Sequence, residues 1–279
     1  MASGAAWAAD IKPYAREDLA SDVVRLTETL RKETAQIGAK IKGKSADQLR
    51  KDAAAAVADK KFKDASAFLG AAVTANPKDA GAWLALAKLG AQADDAQADG
   101  RYDMVARGQT AAYAAYSRAS AAAQAEALAL LGDLFARHES WRPALDAYRA
   151  SLDRRDDQDA RKVYEDLREK HGFRIVDYKV DNESASPRVC FNFSEPLARK
   201  TDFAPYVAVA GAANAALSSE EQQICVEGLQ HGERYAIVVR QGLPSAVGES
   251  LLKSADYEIY VRDRSPQAHF AGKAYVLPR

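Results

Sequence analysis

The spacing of hydrophobic positions changes near Gly172. Upstream, apolar residues recur at three- and four-residue steps, the period of a helix with one buried face. Leu19, Val23, Leu26, Leu30, Ile37 and Ile41 form one such stripe. They predict a single long helix that starts near Pro13, a residue favoured in the first turn. Lys40, Lys42 and Lys44 cluster at its expected end. They read either as a basic patch for an anionic partner or, more plainly, as a complement to the helix dipole. Downstream of Gly172 the step falls to two. Val176, Tyr178 and Val180 alternate with polar residues, as do Val189, Phe191 and Phe193. His171-Gly172 predicts a helix stop, with Gly expected to supply the left-handed cap.

Between the first helix and Gly172 the spacing suggests paired helices. Leu128-x-x-Leu131-Gly132-x-x-Phe135, followed by Ala144, Tyr148 and Ser151, places small residues where two helices would touch and large ones where space must be filled. A looser unit runs through Leu49, Ala53, Ala56, Ala65, Leu69, Ala72 and Pro77. A third begins at Trp83, Leu86 and Ala87 and resumes at Ala112, Tyr116 and Ala119, after an insertion around Gln92–Gly108. The expectation is about three degenerate tetratricopeptide-like repeats, with Asp159–Lys170 as a capping helix through Val163 and Leu167. A generic Ala-rich helical bundle is the alternative.

The second half carries further strand-like runs at Tyr206–Ala210, Gln223–Glu227, Tyr235–Arg240 and Tyr257–Arg262. Turn clusters separate them: Asp181-Asn182-Glu183-Ser184, His231-Gly232-Glu233, and Gly242 to Gly248. The pattern predicts an immunoglobulin-like antiparallel β-sandwich, with a barrel as the lesser alternative. If Val189, Phe191 and Phe193 point inward, Cys190 points outward, and the same alternation puts Cys225 outside between Ile224 and Val226. By order these strands correspond to B and E of the immunoglobulin fold, neighbours in one sheet. Cys190 and Cys225 are therefore candidates for a cross-strand disulfide on the outer face, against the alternative of two free thiols.

Composition sharpens this picture. The chain has 279 residues, 48% hydrophobic and 28% charged, the balance of a folded protein. Ala is concentrated before Gly172, which favours helix there. Lys+Arg and Asp+Glu each number 39, and this zero net charge argues against a nucleic-acid partner. No apolar run is long enough to span a bilayer. Ala6-Trp7-Ala8 has the small-x-small form of a signal-peptidase site, although a basic region and an apolar stretch before it are missing. The run Phe270 to Arg279 reads as the opening strand of a next domain. The expected organisation is a leader or signal-peptide remnant at 1–12, an amphipathic helix at 13–45, helical repeats at 46–171, a sandwich at 172–265 and a truncated strand at 266–279.

No motif points to an enzyme, a cofactor or a metal. Neither G-x-x-x-x-G-K-[ST] nor G-x-G-x-x-G occurs. His138, His171, His231 and His269 lack the i, i+4 spacing of a helical metal pair. Ser245 follows Pro244 without a nucleophile elbow. The carboxylate run Asp153–Asp159, broken by Arg154 and Arg155, lacks the order of a calcium loop and reads as a solvated loop.

One resemblance is specific. Asp177-Tyr178-x-Val180-Asp181 leads into Ala185-Ser186-Pro187-Arg188-Val189-Cys190-Phe191-x-Phe193-Ser194-Glu195-Pro196-Leu197. Cys225-Val226-Glu227-Gly228-Leu229-x-His231-Gly232-x-Arg234-Tyr235 follows, then Gly242-Leu243-Pro244-Ser245 and Tyr260-Val261-Arg262-Asp263-Arg264. Gly272-Lys273-Ala274-Tyr275-Val276-Leu277-Pro278 closes the series. In this order the runs resemble the first macroglobulin-like domain, and the start of the second, of the bacterial alpha-2-macroglobulin family. The resemblance implies a periplasmic or secreted protease inhibitor, with proteases as partners of the full-length protein and an envelope protein docking on the repeats. It also implies a bait segment and, in many members, a Cys-Gly-Glu-Gln thioester. Cys190 precedes Phe191-Asn192 and Cys225 precedes Val226-Glu227-Gly228, so neither is a thioester cysteine. The competing expectation is a self-contained envelope adaptor that uses its repeats for protein binding.

Overall fold

The computed structural model describes residues 11–92, 104–212 and 214–265. The chain divides into two compact units, Met1–His171 and Gly172–Arg279. The expected leader falls largely outside the described residues, as do most of the insertion around 92–108 and the strand expected at 266–279.

The first unit is helical. Its described helices are α1 (Glu17–Gln36), α2 (Gly38–Ile41), α3 (Ala46–Ala58), α4 (Phe62–Ala75), α5 (Ala80–Gln92), α6 (Met104–Arg118), α7 (Ala121–Arg137), α8 (Trp141–Arg154) and α9 (Gln158–His171). The pairs α3–α4, α5–α6 and α7–α8 pack as neighbours, α1 lies on α4 and α6, and α9 lies on α8. Ala-rich helices bring little side-chain volume to a core, so they must approach closely. Gly90 permits this between α5 and α6: a Cβ there would sit 2.5 Å from the Met104 carbonyl oxygen and 2.8 Å from Gly108 Cα. Gly132 does the same for α7 and α8, where a Cβ would meet the Tyr148 ring at 2.6 Å. Trp83, Leu86, Leu128, Leu131 and Tyr148 fill the remaining space, each almost fully buried. Side chains also tie loops and helices together. Ser45 and Gln48 form a capping box on α3. Asp79 accepts from Gly81 and Ala82 at the start of α5 and pairs with Arg50 at 2.9 Å. Ser151 Oγ donates to the Ala125 carbonyl across α7 and α8.

The long first helix expected from Pro13 to the Lys cluster is corrected at both ends. Residues 11–16 lie outside any helix, Arg16 is extended, and α1 begins at Glu17; the Tyr14 and Arg16 amides donate instead to the Tyr116 and Tyr113 hydroxyls of α6. The stripe breaks at Ile37, whose backbone leaves the helical region just before Gly38. Lys40 and Lys44 therefore do not complement the end of α1. They pair with Asp64 at 3.6 Å and Asp52 at 2.7 Å. The carboxylate run is also not all loop: α8 continues through Arg154, and α9 starts at Gln158.

The second unit is an antiparallel sandwich and is not closed into a barrel. Its strands are β1 (Ile175–Asp181), β2 (Arg188–Phe193), β3 (Val207–Ala210), β4 (Ala216–Glu220), β5 (Gln223–Glu227), β6 (Arg234–Val239) and β7 (Ala255–Tyr260). One sheet has the order β1-β2-β5-β4 and the other β3-β6-β7. Written as letters, these orders are A-B-E-D and C-F-G, the arrangement of a constant-type immunoglobulin domain. The core lies between the sheets, with Val189, Phe191, Ile224, Val226, Ile237 and Val261 at essentially zero exposure. The simple alternation expected for β1 fails at Val176. The register shifts between Ile175 and Asp177, so Ile175 opposes Phe193 while Val176 stands 59% exposed. Gly228 ends β5 at φ +78°, where a Cβ would lie 2.5 Å from the Asn214 carbonyl oxygen.

Candidate functional site

The two cysteines lie opposite each other on the central strands of the four-stranded sheet. The register pairs Val189 with Val226, Cys190 with Cys225 and Phe191 with Ile224. The Phe193 amide donates to the Gln222 carbonyl, so counting back along the ladder makes Cys190/Cys225 a non-hydrogen-bonded pair. In such pairs the backbones lie closest and the side chains face each other. Sγ joins Sγ at 2.07 Å, with the Cα atoms 3.9 Å apart and a sequence separation of 35.

Alternation directs the disulfide away from the core, yet both cysteines are buried, at 7% and 5% exposure. Outward is therefore not exposed here. The flanking strands supply cover, since Lys179 pairs with Cys190 and Ser218 with Cys225. A polar row runs across the same face. Asn192 donates to Asp177, Gln223 Nε2 donates to Asn192 Oδ1 at 2.7 Å, and Gln223 Oε1 lies 3.3 Å from Cys225 Sγ. The staple thus lies beside a hydrogen-bonded polar row, on two strands whose opposite face buries Val189, Phe191, Ile224 and Val226.

The histidines are dispersed. His138 caps the end of α7 and meets Gln109 at 3.3 Å. His171 stacks on Trp141 with ring centroids 3.8 Å apart. A ring nitrogen of His231 lies 2.9 Å from the Asn182 carbonyl oxygen. His269 lies outside the described residues. Among the described residues, no group of three or more His, Cys, Asp or Glu converges on a metal-sized site. Ser245 is part of a turn: its hydroxyl donates to the Glu249 carbonyl at 2.8 Å and accepts from the Glu249 amide.

Sequence reasoning missed two charged groups, one buried and one half-buried. Glu249 is 5% exposed and accepts from the Phe173 amide at 2.8 Å. It sits in a Gly- and Ser-rich turn that reads as solvated. Arg107 forms a bidentate pair with Glu33, at 2.8 and 2.9 Å, on the wall of a cleft of about 270 Å³. Ile37, Phe62 and Met104 contribute apolar surface to that cleft, and Lys40 and Asp64 add charge. In α7 and α8 the Tyr148 hydroxyl donates to Asp133, and burial together with that bond pushes the Tyr148 phenol well above its usual range.

No helix among the described residues is long and apolar enough to cross a membrane. No family model matches the sequence, and no curated protein matches it. Several solved structures show partial likeness. An Escherichia coli alpha-2-macroglobulin fragment spanning domains MG0-NIE-MG1 is 18% identical over 38% of this chain and 37% of that one, with a TM-score of 0.32. A Salmonella alpha-2-macroglobulin mutant is 21% identical over 40% of this chain and 8% of that one, at 0.31. The N-terminal part of the bacterial S-layer protein SbsC is 15% identical over 91% of this chain and 60% of that one, at 0.26. The chain thus spans well under two thirds of the macroglobulin chains it matches. At these TM-scores the likenesses carry no structural or functional argument.

Proposed function

We propose that this chain is an N-terminal structural and docking region of a bacterial alpha-2-macroglobulin-like protease inhibitor of the cell envelope, with no trapping chemistry of its own. The observation that carries the reading is the order of short sequence runs from Asp177 to Arg264 that resemble the first macroglobulin domain, placed on a sandwich with seven strands among the described residues. The Cys190–Cys225 bond supports an oxidising compartment, the periplasm or the outside of the cell. It also leaves neither cysteine available for a thioester. Alternate helices are in contact, α3 with α5 and α5 with α7, which supports the tetratricopeptide-like reading of 46–171 and its use as a protein-docking surface.

The test uses the full-length mature protein isolated from its source and mixed with a general endoprotease. The expected result is loss of cleavage of a large protein substrate while a small chromogenic peptide is still cut. The 279-residue chain alone should give neither shielding nor a covalent adduct. Unimpaired digestion of the large substrate by the full-length mixture would favour the adaptor reading, and an adduct on Cys190 or Cys225 would overturn both.

A further inference from the structure

Residues 11–16 lie as a non-helical strap on the helical unit, extended at Arg16, and its backbone contacts recur every second residue. The Lys12 carbonyl accepts from Arg154 Nη2 at 3.4 Å, the Tyr14 amide donates to Tyr116 Oη at 2.8 Å, and the Arg16 amide donates to Tyr113 Oη at 3.3 Å. This is the two-residue repeat of an extended chain showing one edge to its support. Here side chains on helices take the part that a neighbouring strand would take. Backbone groups are common to all sequences, so these three bonds read conformation and not identity.

Two side chains of the strap add selectivity. The Tyr14 ring meets Tyr116 edge-on, with centroids 6.1 Å apart. The Arg16 guanidinium lies over the Phe135 ring at 5.2 Å. The receiving surface is held by its own bonds. Arg154 donates to Gln124 Oε1 at 3.1 Å, to the Ala150 carbonyl at 2.8 Å and to Tyr116 Oη at 3.0 Å. At the first residue of the strap a cleft of about 370 Å³ lies between Ile11, Ala121, Arg154 and Arg155.

We infer that the surface built by Tyr113 and Tyr116 of α6, Phe135 of α7 and Arg154 of α8 is a binding site for an extended peptide of pattern Tyr-x-Arg, and that the chain's own residues 11–16 occupy it as a tethered stand-in. A tethered segment acts at an effective concentration of about millimolar, so a free peptide competes poorly until the strap is weakened. The inference is independent of the macroglobulin reading.

The probe is a fluorophore-labelled peptide copying residues 11–18, added to the full 279-residue chain and followed by anisotropy. Tyr14→Ala with Arg16→Ala in the chain should raise its affinity for the peptide about tenfold or more over wild type. Adding Tyr116→Phe to that variant removes the acceptor for the Tyr14 amide and should reverse about fivefold of the gain. A peptide carrying the two Ala substitutions should not bind. Absence of peptide binding by a double variant with wild-type helical circular dichroism overturns the inference. A wild-type dimer that the peptide dissolves would assign the site to a second copy's strap and overturn the partner form. Hydrogen exchange on the wild-type chain gives an answer independent of variant folding. The Tyr14 and Arg16 amides should exchange far faster than that of Leu30, and exchange of all three in one global step would make the strap part of the core and end the proposal.

Discussion

The two units solve the same packing problem with opposite materials. In the helical unit the contacts are made by what is missing. Gly90, Gly108 and Gly132 have no Cβ, and helices approach until Met104 or the Tyr148 ring fills the gap. In the sandwich the contacts are made by bulk. Phe191 packs against Tyr178 and Tyr257, with centroids 6.1 and 4.9 Å away, and a disulfide ties the strands that carry it. A core of small residues is sensitive to added atoms; a core of large ones is sensitive to lost atoms. The contrast is measurable, because all three Trp lie in the first 171 residues and report the helical unit alone.

The largest expected effect is on the sandwich. Phe191→Ala should cost about 3–5 kcal/mol, read as a fall in the denaturation midpoint of far-ultraviolet β signal. Trp fluorescence should keep its wild-type midpoint. If Trp83 and Trp141 emission shifts equally, the two cores do not unfold separately and the comparison breaks. Next is the staple. Reduction of Cys190–Cys225, or its double replacement by Ser, should cost about 3–4 kcal/mol for a closed loop of this length, again confined to the β signal.

Added atoms should show the reverse sensitivity in the helical unit. Gly90→Ala and Gly132→Ala should each destabilise by about 1–3 kcal/mol, although Ala favours helix. Gly38→Ala is the control, since a Cβ there meets nothing within 4 Å. It should stabilise by about 0.5 kcal/mol through propensity, and urea unfolding followed by Trp fluorescence ranks the three. A stable Gly132→Ala chain would show that the Tyr148 ring yields readily and that the contact does not set the helix distance.

The smallest effect appears only in alkali. Burial pushes the Tyr14 phenol up to about 12, against the opposing pull of Arg16. The unfolded chain releases this proton first, so the contribution is complete below about pH 10 and is lost as pH rises towards 12. The difference in stability between wild type and Tyr14→Phe should change across that window and stay constant below it.

Legibility followed the reach of each signal. β2 and β5 were readable because both bury one full face, and their alternation survives intact in Val189, Phe191, Ile224 and Val226. β4 was missed: Ala216-Leu217-Ser218-Ser219-Glu220 is an edge strand with only Leu217 partly buried, so its sequence records pairing and no core. The seam between Gly132 and Tyr148 was readable because both contact partners lie on consecutive helices, close together in the chain. The strap was not, because Pro13 signals a helix start while the acceptors for the Tyr14 and Arg16 amides lie about a hundred residues away on α6.

The sequence by itself determined the change from helical to strand period, the inward set of the central strands and the outward side for both cysteines. Each of these depends on how one segment divides its residues between core and solvent. Only the tertiary structure decided that Cys190 faces Cys225 at a non-hydrogen-bonded position and that the pair is covered. Tertiary pairing also decided that Lys40 and Lys44 find carboxylates on neighbouring helices and that the amides of Tyr14 and Arg16 are held by side chains of α6. The physical reason is range: periodicity is written within a segment, whereas a partner for a backbone amide, a charge or a sulfur is supplied by whichever distant element packs against it.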